Sequence, residues 1–141
     1  DSGSNMSFIG SIEDRLEIHE LVMSYGHAVT IKSSKAWGDT WSKDSVWEIP
    51  VPGMDHIEGK ENIVNSWIEA MKPYKQIVFK AWLGTLEVKG DYATGITYTN
   101  ELGTDLEDRK TRVDGRYEDE FIREDGIWLF KKRSFSILHM D

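Results

Sequence analysis

Apolar residues recur every three or four positions through the first half of the chain, and this spacing predicts three helices. The first covers residues 11–32 and begins at Ser11, a residue type that caps helix N-termini. A short second helix is expected at residues 35–42 and a third at residues 58–72. Between them, residues 44–50 are expected to form a strand that ends at Pro50.

After Tyr74 the pattern changes to an alternation of apolar and polar residues, which is typical of strands. Four long strands are predicted, at residues 76–88, 92–102, 110–123 and 127–140. Hairpin turns are expected at residues 89–91 and 124–126, and a charged, exposed connection at residues 103–109. Because the helices precede the strands, we expect an α+β protein in which one curled antiparallel sheet packs against three helices.

The chain has 141 residues, a length typical of one domain. We interpret residues 1–5 as a tag remnant and residues 6–141 as a single domain. No apolar run is long enough to cross a membrane and no secretory signal follows residue 5, so a cytoplasmic location is expected. The sequence contains no cysteine, which excludes disulfides and thiolate chemistry.

Charge and motifs narrow the classes of partner and cofactor. With 17 basic and 25 acidic residues the formal net charge is −8, so neither nucleic acid nor a membrane is expected as a partner. The four histidines show no H-x-H or H-E-x-x-H spacing, and no phosphate-binding glycine loop is present, so no metal and no cofactor are predicted. The chain is rich in aromatic residues, with six Trp, five Tyr and five Phe. Six Trp are more than one compact core needs, so some are expected to line a cavity or an interface; the alternative is that they are large core anchors.

Four segments in order resemble the SnoaL-like, scytalone-dehydratase-like branch of the nuclear-transport-factor-like superfamily. They are IEDRLEIHELVMSYGHAVT, WGDTWSKDSVWEIP, IEGKENIVNSWIEAM and GRYEDEFIREDGIWLFKKRSF, and the resemblance extends over about residues 12–137. The matching family positions are Tyr25, Trp41, Asp44, Trp47, Gly59, Ile63, Tyr117, Phe121, Arg123, Asp125, Gly126, Trp128, Phe130 and Arg133.

This resemblance implies a cone-shaped barrel, in which a strongly curved antiparallel (mixed) sheet and three N-terminal helices enclose a deep apolar pocket. Family members with known activities are mostly cofactor-free enzymes acting on hydrophobic small molecules, among them dehydratases, a dehydrochlorinase, polyketide cyclases and isomerases. A homodimer or higher homo-oligomer is also implied, with the open face of the sheet as its interface.

Dehydratases of the family use an Asp at the end of the first helix and a His on the first long strand as an acid/base dyad. Thr30 stands at the Asp position and Phe79 at or near the His position. Neither side chain is a usable base near neutral pH, so the Asp–His mechanism is not supported. We expect both residues to contact substrate instead.

Two residues of the first helix are catalytic candidates. Tyr25 corresponds to a polar cavity residue of the dehydratases, and the alternative is a core tyrosine with a satisfied hydroxyl. His27 lies about one turn before Thr30 and is either catalytic or a surface histidine. His56, in the loop PGMDHIEG, belongs either to a lid over the pocket or to a solvated loop.

The second long strand supplies a candidate carboxylate. Thr97, Thr99 and Glu101 are in phase and are expected to face the cavity, the threonines as substrate contacts. A carboxylate in an aromatic cavity has a raised pKa and suits acid/base work, whereas the alternative is a surface glutamate. A register error of one residue would exchange Glu101 with Asn100.

The last strand supplies two further catalytic candidates. Arg133 coincides with a pocket arginine of the bile-acid dehydratase and is suited to hold a carboxylate or an enolate-like charge. His139 shares its phase and would lie near the rim as a substitute for the missing histidine, unless it belongs to a loose tail. Tyr117, in the preceding strand, belongs to the hairpin pattern and is interpreted as structural.

Apolar walls are expected from five tryptophans, Trp37, Trp41, Trp47, Trp67 and Trp82. Of these, Trp37, Trp41 and Trp82 are the expected substrate contacts. Trp41 matches a family core position, so a structural role dominates there. Trp37 and Trp82 are free to stack on a flat substrate or to form an oligomer contact.

The sequence therefore predicts a cofactor-independent lyase, of the dehydratase, elimination or retro-aldol type, that acts on a hydrophobic aromatic or polycyclic molecule. A polyketide or terpenoid cyclase or isomerase remains an alternative. A non-catalytic small-molecule-binding domain is the other, because Thr30 and Phe79 are inert.

Overall fold

The computed structural model describes residues 7–141, so the predicted tag remnant lies outside the described residues. Its elements, in chain order, are β1 (Phe8–Ile9), α1 (Ile12–Thr30), α2 (Ser34–Gly38), β2 (Trp41–Glu48), β3 (Ile57–Glu58), α3 (Lys60–Met71), β4 (Tyr74–Lys89), β5 (Tyr92–Asp105), β6 (Lys110–Glu124) and β7 (Ile127–Met140). None of the helices in this part of the chain has the length and apolar character needed to span a bilayer.

All seven strands belong to one mixed sheet with the order β1-β4-β5-β6-β7-β2-β3. Strands β4 to β7 form an antiparallel meander, while β1 pairs in parallel with β4 and β2 in parallel with β7. This confirms the predicted α+β class with a mixed sheet and three helices. The sheet does not close into a barrel, however, because its edge strands β1 and β3 contain only two residues each and do not pair with one another.

The second predicted helix is the largest error in the element boundaries. It was expected at residues 35–42, but α2 ends at Gly38 and β2 already begins at Trp41. The Thr40 carbonyl accepts a hydrogen bond from the Phe130 amide at 2.9 Å, and Trp41 then pairs with Phe130. Pairing with β7 therefore overrides the local helical pattern around Trp41.

Aromatic side chains fill the space between the helices and the sheet. The Trp37 ring stacks on the Trp67 ring with centroids 4.8 Å apart, and the Trp41 ring lies 5.6 Å from that of Trp37. Tyr25 lies among them, 5.4 Å from both Trp37 and Phe130. This cluster is the core on which the site described below rests.

A polar contact fixes the first turn of α1 to the β6–β7 hairpin. The Asp14 carboxylate accepts hydrogen bonds from Arg123 Nη1 at 2.6 Å and from Trp128 Nε1 at 3.1 Å. Trp128 is 3% exposed, so its indole N–H depends on this acceptor.

We predict that Asp14→Ala lowers the free energy of unfolding by about 2 kcal/mol, because it leaves a buried indole N–H without its acceptor and removes one of the two carboxylates that bind Arg123, the other being Asp91. Urea titration followed by Trp fluorescence measures the loss. Glu13→Ala is the matched control, since Glu13 occupies the same first turn but is exposed. Equal losses in the two variants would show that the contact does not hold the helix to the sheet.

Candidate functional site

A cavity of about 310 Å³ lies between the sheet, α1 and α3. Its walls are mostly apolar and include Val29, Trp67, Met71, Ile77, Phe79 and Phe135. Part of the mouth is formed by the loop between β2 and β3, from which Val51 and Met54 contribute side chains. Polar groups are few, so each of them acts in a water-poor environment.

Glu101 is the carboxylate of this cavity. On β5 it pairs with Phe79 of β4 and Val113 of β6, and all three line the cavity. Burial raises the pKa of the Glu101 carboxyl, and no residue among 7–141 forms a hydrogen bond or ion pair with it. Asn100 points to the opposite face, where it donates a hydrogen bond to Asp114.

Two buried tyrosines, Tyr25 of α1 and Tyr117 of β6, supply hydroxyls to the same cavity. The Trp47 indole Nε1 donates a hydrogen bond to the Tyr117 hydroxyl at 3.0 Å. The Tyr117 hydroxyl in turn interacts with the Tyr25 hydroxyl, and this hydrogen bond raises the pKa of Tyr117 and lowers that of Tyr25. Burial raises the pKa of both phenols, and the Arg133 charge opposes that rise.

Arg133 does not line the cavity but lies behind the two tyrosines. Its guanidinium carbon is 3.8 Å from the ring centroid of Tyr117 and 4.5 Å from that of Tyr25. Two hydrogen bonds, at 2.7 and 3.0 Å, join it to the Asp119 carboxylate, and Thr97 Oγ1 donates to the same carboxylate at 2.6 Å. Thr97 is therefore occupied by Asp119.

The other expected substrate contacts separate into three groups. Phe79 and Thr99 line the cavity, with the Phe79 ring 5.6 Å from that of Tyr25. Trp37 and Trp41 are buried in the aromatic core and do not line the cavity. Trp82 is 53% exposed and packs against Tyr98, so it lies outside the cavity.

The positions of the family's dyad are adjacent in space but perform a different task. Thr30 ends α1, and its Oγ1 accepts a hydrogen bond from the Phe79 backbone amide at 3.1 Å. Thr30 is exposed and does not line the cavity. This hydrogen bond joins α1 to β4 at the two positions to which the sequence resemblance assigns the acid/base pair.

Neither candidate histidine lines the cavity. His27 is exposed on α1. The alternation predicted for the last strand extends to Ile137, which pairs with Gly115, but a bulge follows and His139 pairs with Asp114. Because a bulge reverses the alternation, His139 lies on the face opposite to that of Arg133, and it is exposed.

Sequence reasoning assigned only a structural role to Tyr117, considered Trp47 only as an apolar wall or core residue, and did not identify Asp119 as part of the site. Asp119 alternates with the buried Tyr117 and Phe121 along β6. A carboxylate on the same buried face of a strand as two aromatic residues needs a buried partner, and this pattern in the sequence could have identified Asp119. The donation from Trp47 joins residues 70 positions apart and has no local signal.

His56 closes the loop at the cavity mouth. Its Nδ1 lies 2.8 Å from a Glu48 carboxylate oxygen and its Nε2 lies 2.9 Å from one of Glu58. A neutral imidazole has one N–H, so hydrogen bonding to both carboxylates requires the imidazolium. Both hydrogen bonds raise the pKa of His56, the one to Glu58 more than the one to Glu48.

The described residues offer no ready metal site. No three His, Asp or Glu side chains of residues 7–141 are grouped so that they could hold an ion. The carboxylates around His56 bind opposite ring nitrogens and so point at the ring rather than at a common centre.

We predict that Glu101→Gln is more stable than the unchanged protein at neutral pH. A carboxyl with a raised pKa in the folded state contributes stability below its unfolded pKa and loses it as the pH rises through the folded pKa. The stability difference should therefore grow from about pH 4 upward, as measured by urea unfolding at a series of pH values. Glu118→Gln, an exposed glutamate, is the control and should show no such growth.

We also predict that His56 titrates above the ordinary histidine range in an NMR pH titration. Glu58→Gln and Glu48→Gln should each lower its pKa, because each removes one acceptor of the imidazolium. The stabilisation of the mouth loop is complete below the unfolded pKa of His56 and is lost as the pH rises through the raised one. An ordinary pKa for His56, with no response to either substitution, would show that the imidazolium is not held between Glu48 and Glu58.

The comparisons with known proteins agree with this architecture. The chain has a TM-score of 0.80 and 22% identity to a type 2 hexachlorocyclohexane dehydrochlorinase (LinA), covering 92% of this chain and 88% of that one. A candidate aromatic ring hydroxylase from Novosphingobium aromaticivorans has a TM-score of 0.81 and 25% identity to the chain, with 93% of this chain and 94% of that one covered. A candidate scytalone dehydratase from the same organism has a TM-score of 0.84 and 13% identity, with 92% of this chain and 87% of that one covered.

No curated protein matches the chain. The structural likenesses below 25% identity establish a shared fold and nothing more. A family of SnoaL-like domains matches residues 10–134, nearly the whole of the described chain, and this confirms the resemblance found in the sequence. The chain belongs to the SnoaL-like domain family.

Proposed function

We propose that this protein is a cofactor-independent lyase that removes a proton from a hydrophobic, uncharged aromatic or polycyclic molecule. One observation carries the proposal: an unpaired carboxylate with a raised pKa and two buried phenols line the same apolar cavity. Membership of the SnoaL-like family supports it, as does the fold shared with a protein named as a dehydrochlorinase, an enzyme of elimination.

Glu101 is the proposed general base. Its ionised carboxylate accepts a proton from a carbon next to a carbonyl group, and no protein hydrogen bond has to be broken first. The electron pair of the broken C–H bond moves into the carbonyl group and gives an enolate. The C=O bond then re-forms, a C=C bond forms to the neighbouring carbon, and the bond from that carbon to its hydroxyl breaks. Desolvation raises the proton affinity of the carboxylate and so strengthens this base.

Tyr25 and Tyr117 are the proposed acid and oxyanion partners. One hydroxyl donates a hydrogen bond to the enolate oxygen, and the other protonates the departing hydroxide so that it leaves as water. Glu101 then holds one proton and a tyrosine lacks one, and transfer between them through water restores the site. The apolar walls orient the substrate and exclude bulk water.

The cavity also favours an uncharged substrate. A substrate carboxylate would lie beside Glu101 in a water-poor space, where like charges repel strongly. A ketone oxygen, by contrast, fits the two phenolic donors without adding charge.

Isomerisation is the second candidate, and the single carboxylate of the cavity favours it. One base that takes a proton from a carbon can return it to another carbon while the phenols hold the enolate oxygen. A binding-only domain is the third, favoured by Thr30 and Phe79 at the positions of the dyad.

The test uses 3-hydroxy-1-tetralone, an uncharged bicyclic β-hydroxy ketone that loses water to give fluorescent 1-naphthol. We predict turnover by the unchanged protein and a loss of about 100-fold or more in Glu101→Gln. Tyr25→Phe and Tyr117→Phe should each lower kcat by about 100-fold, with a smaller effect on KM. Glu118→Gln, on an exposed site, is the matched control and should keep full activity.

Each other outcome removes the proposal or replaces it. Full activity in Glu101→Gln would exclude Glu101 as the base. Conversion of a β,γ-unsaturated bicyclic ketone that cannot aromatise, without dehydration of the hydroxy ketone, would establish the isomerase instead. Binding of 1-tetralone with no exchange of its α-protons in deuterated water would establish a binding-only domain.

A further inference from the structure

A second set of polar groups lies directly behind the cavity and is sealed from it. Thr97, Asp119 and Arg133 are buried on β5, β6 and β7, with relative exposures of 0%, 3% and 0%. Arg133 and Asp119 do not line the cavity, and yet the Arg133 guanidinium touches both tyrosines that do. The position of this buried ion pair is not explained by the acid/base steps proposed above.

The guanidinium of Arg133 is stacked on three aromatic faces. Its central carbon lies 3.8 Å from the ring centroid of Tyr117, 4.1 Å from that of Phe130 and 4.5 Å from that of Tyr25. The faces of aromatic rings are electron-rich and attract a cation. The positive charge of Arg133 therefore acts on both phenols through their ring faces rather than by a hydrogen bond to their oxygens.

Asp119 fixes the plane of that guanidinium. It accepts from Arg133 Nε at 2.7 Å and from Nη2 at 3.0 Å, which is a bidentate arrangement. Its Oδ2 also accepts from Thr97 Oγ1 at 2.6 Å, so the carboxylate itself is held from β5. The remaining Nη1 is buried and has no partner among residues 7–141, and so the stacking on the rings is the main contact of that side of the cation.

We propose that Asp119 and Arg133 are positioning residues that set the hydrogen-bond donor strength of Tyr25 and Tyr117, with Arg133 acting through the ring faces and Asp119 limiting its charge. As an account of the cavity's chemistry, the inference rests on the proposed function. A phenol that donates more strongly stabilises better the substrate oxygen on which negative charge develops during the reaction.

The other groups around the tyrosines leave this role to Arg133. Glu101, on β5, raises the pKa of Tyr25, and Trp47, on β2, hydrogen-bonds only to Tyr117. The two phenols also act on each other: their hydrogen bond lowers the pKa of Tyr25 and raises that of Tyr117, so it cannot lower both. Burial raises the pKa of both phenols, and Arg133 is the one cation that lowers it for both. Without that cation the phenols would bind their protons more tightly and donate them less readily.

Opposite substitutions should have opposite effects. Arg133→Met removes the cation, and we expect the acid dissociation constants of Tyr25 and Tyr117 to fall about tenfold. Asp119→Asn leaves the cation without its counter-ion, and we expect both constants to rise. A merely structural role would loosen the core in both variants and would move the two constants in the same direction.

The measurement uses 3,5-difluorotyrosine in place of tyrosine, because its more acidic phenol titrates where the protein stays folded. Fluorine NMR then follows each residue during a pH titration, and Tyr25→Phe and Tyr117→Phe assign the two signals. The double variant Asp119→Asn with Arg133→Met keeps the interior uncharged, and its constants should also fall. The matched control is a different Arg–Asp pair, Asp14 with Arg123, whose substitutions should leave both signals unchanged.

Turnover of 3-hydroxy-1-tetralone gives a separate readout. Arg133→Met should lower kcat with little change in KM, because Arg133 does not touch the substrate. Equal or absent shifts in the titrations of Arg133→Met and Asp119→Asn overturn the inference, even if the tyrosines prove essential for turnover. If the two variants shift the tyrosine titrations in opposite directions but the unchanged protein does not turn over the hydroxy ketone, the inference is supported and the proposed lyase activity is not.

Discussion

The ion pair between Asp119 and Arg133 is the interaction on which the interior of this protein depends. Removing two charges from water costs on the order of several kcal/mol for each ion, so the pair persists only if its partners are well placed. Two hydrogen bonds, the Thr97 hydroxyl and the ring faces of Tyr25 and Tyr117 supply those partners. Helix α1 and strands β5, β6 and β7 are thereby fixed against one another, and the phenols at the cavity are held by the core rather than by a loop.

The cavity uses a buried charge in the opposite way. Glu101 has no partner among the described residues, so its carboxylate keeps the desolvation cost that the ion pair offsets. This cost gives the carboxylate its affinity for a proton. Thr30 and Phe79, at the positions that the sequence resemblance assigns to the family's dyad, instead join α1 to β4 by a hydrogen bond. The chain thus retains the family fold while its ionisable groups sit elsewhere on the cavity wall.

The sequence alone was sufficient for most of the fold. Local spacing of apolar residues predicted α1 and α3 to within two residues at each end, and alternation predicted the four long strands and their two hairpin turns. The family could be identified because its motif positions lie in the same order along nearly the whole chain. The phase of Thr97, Thr99 and Glu101 was also predictable, since a regular strand places every second side chain on one face.

The tertiary structure decided what local periodicity cannot encode. Pairing with Phe130 made Trp41 part of a strand, and a bulge after Ile137 turned His139 away from the cavity side. Packing of α1 against the paired strands β6 and β7 placed Arg133 behind the tyrosines and outside the lining of the cavity. Local sequence thus determined which elements form and which residues share a face of each. The site itself depends on which of those faces meet, and that is set by packing and strand register over the whole sheet.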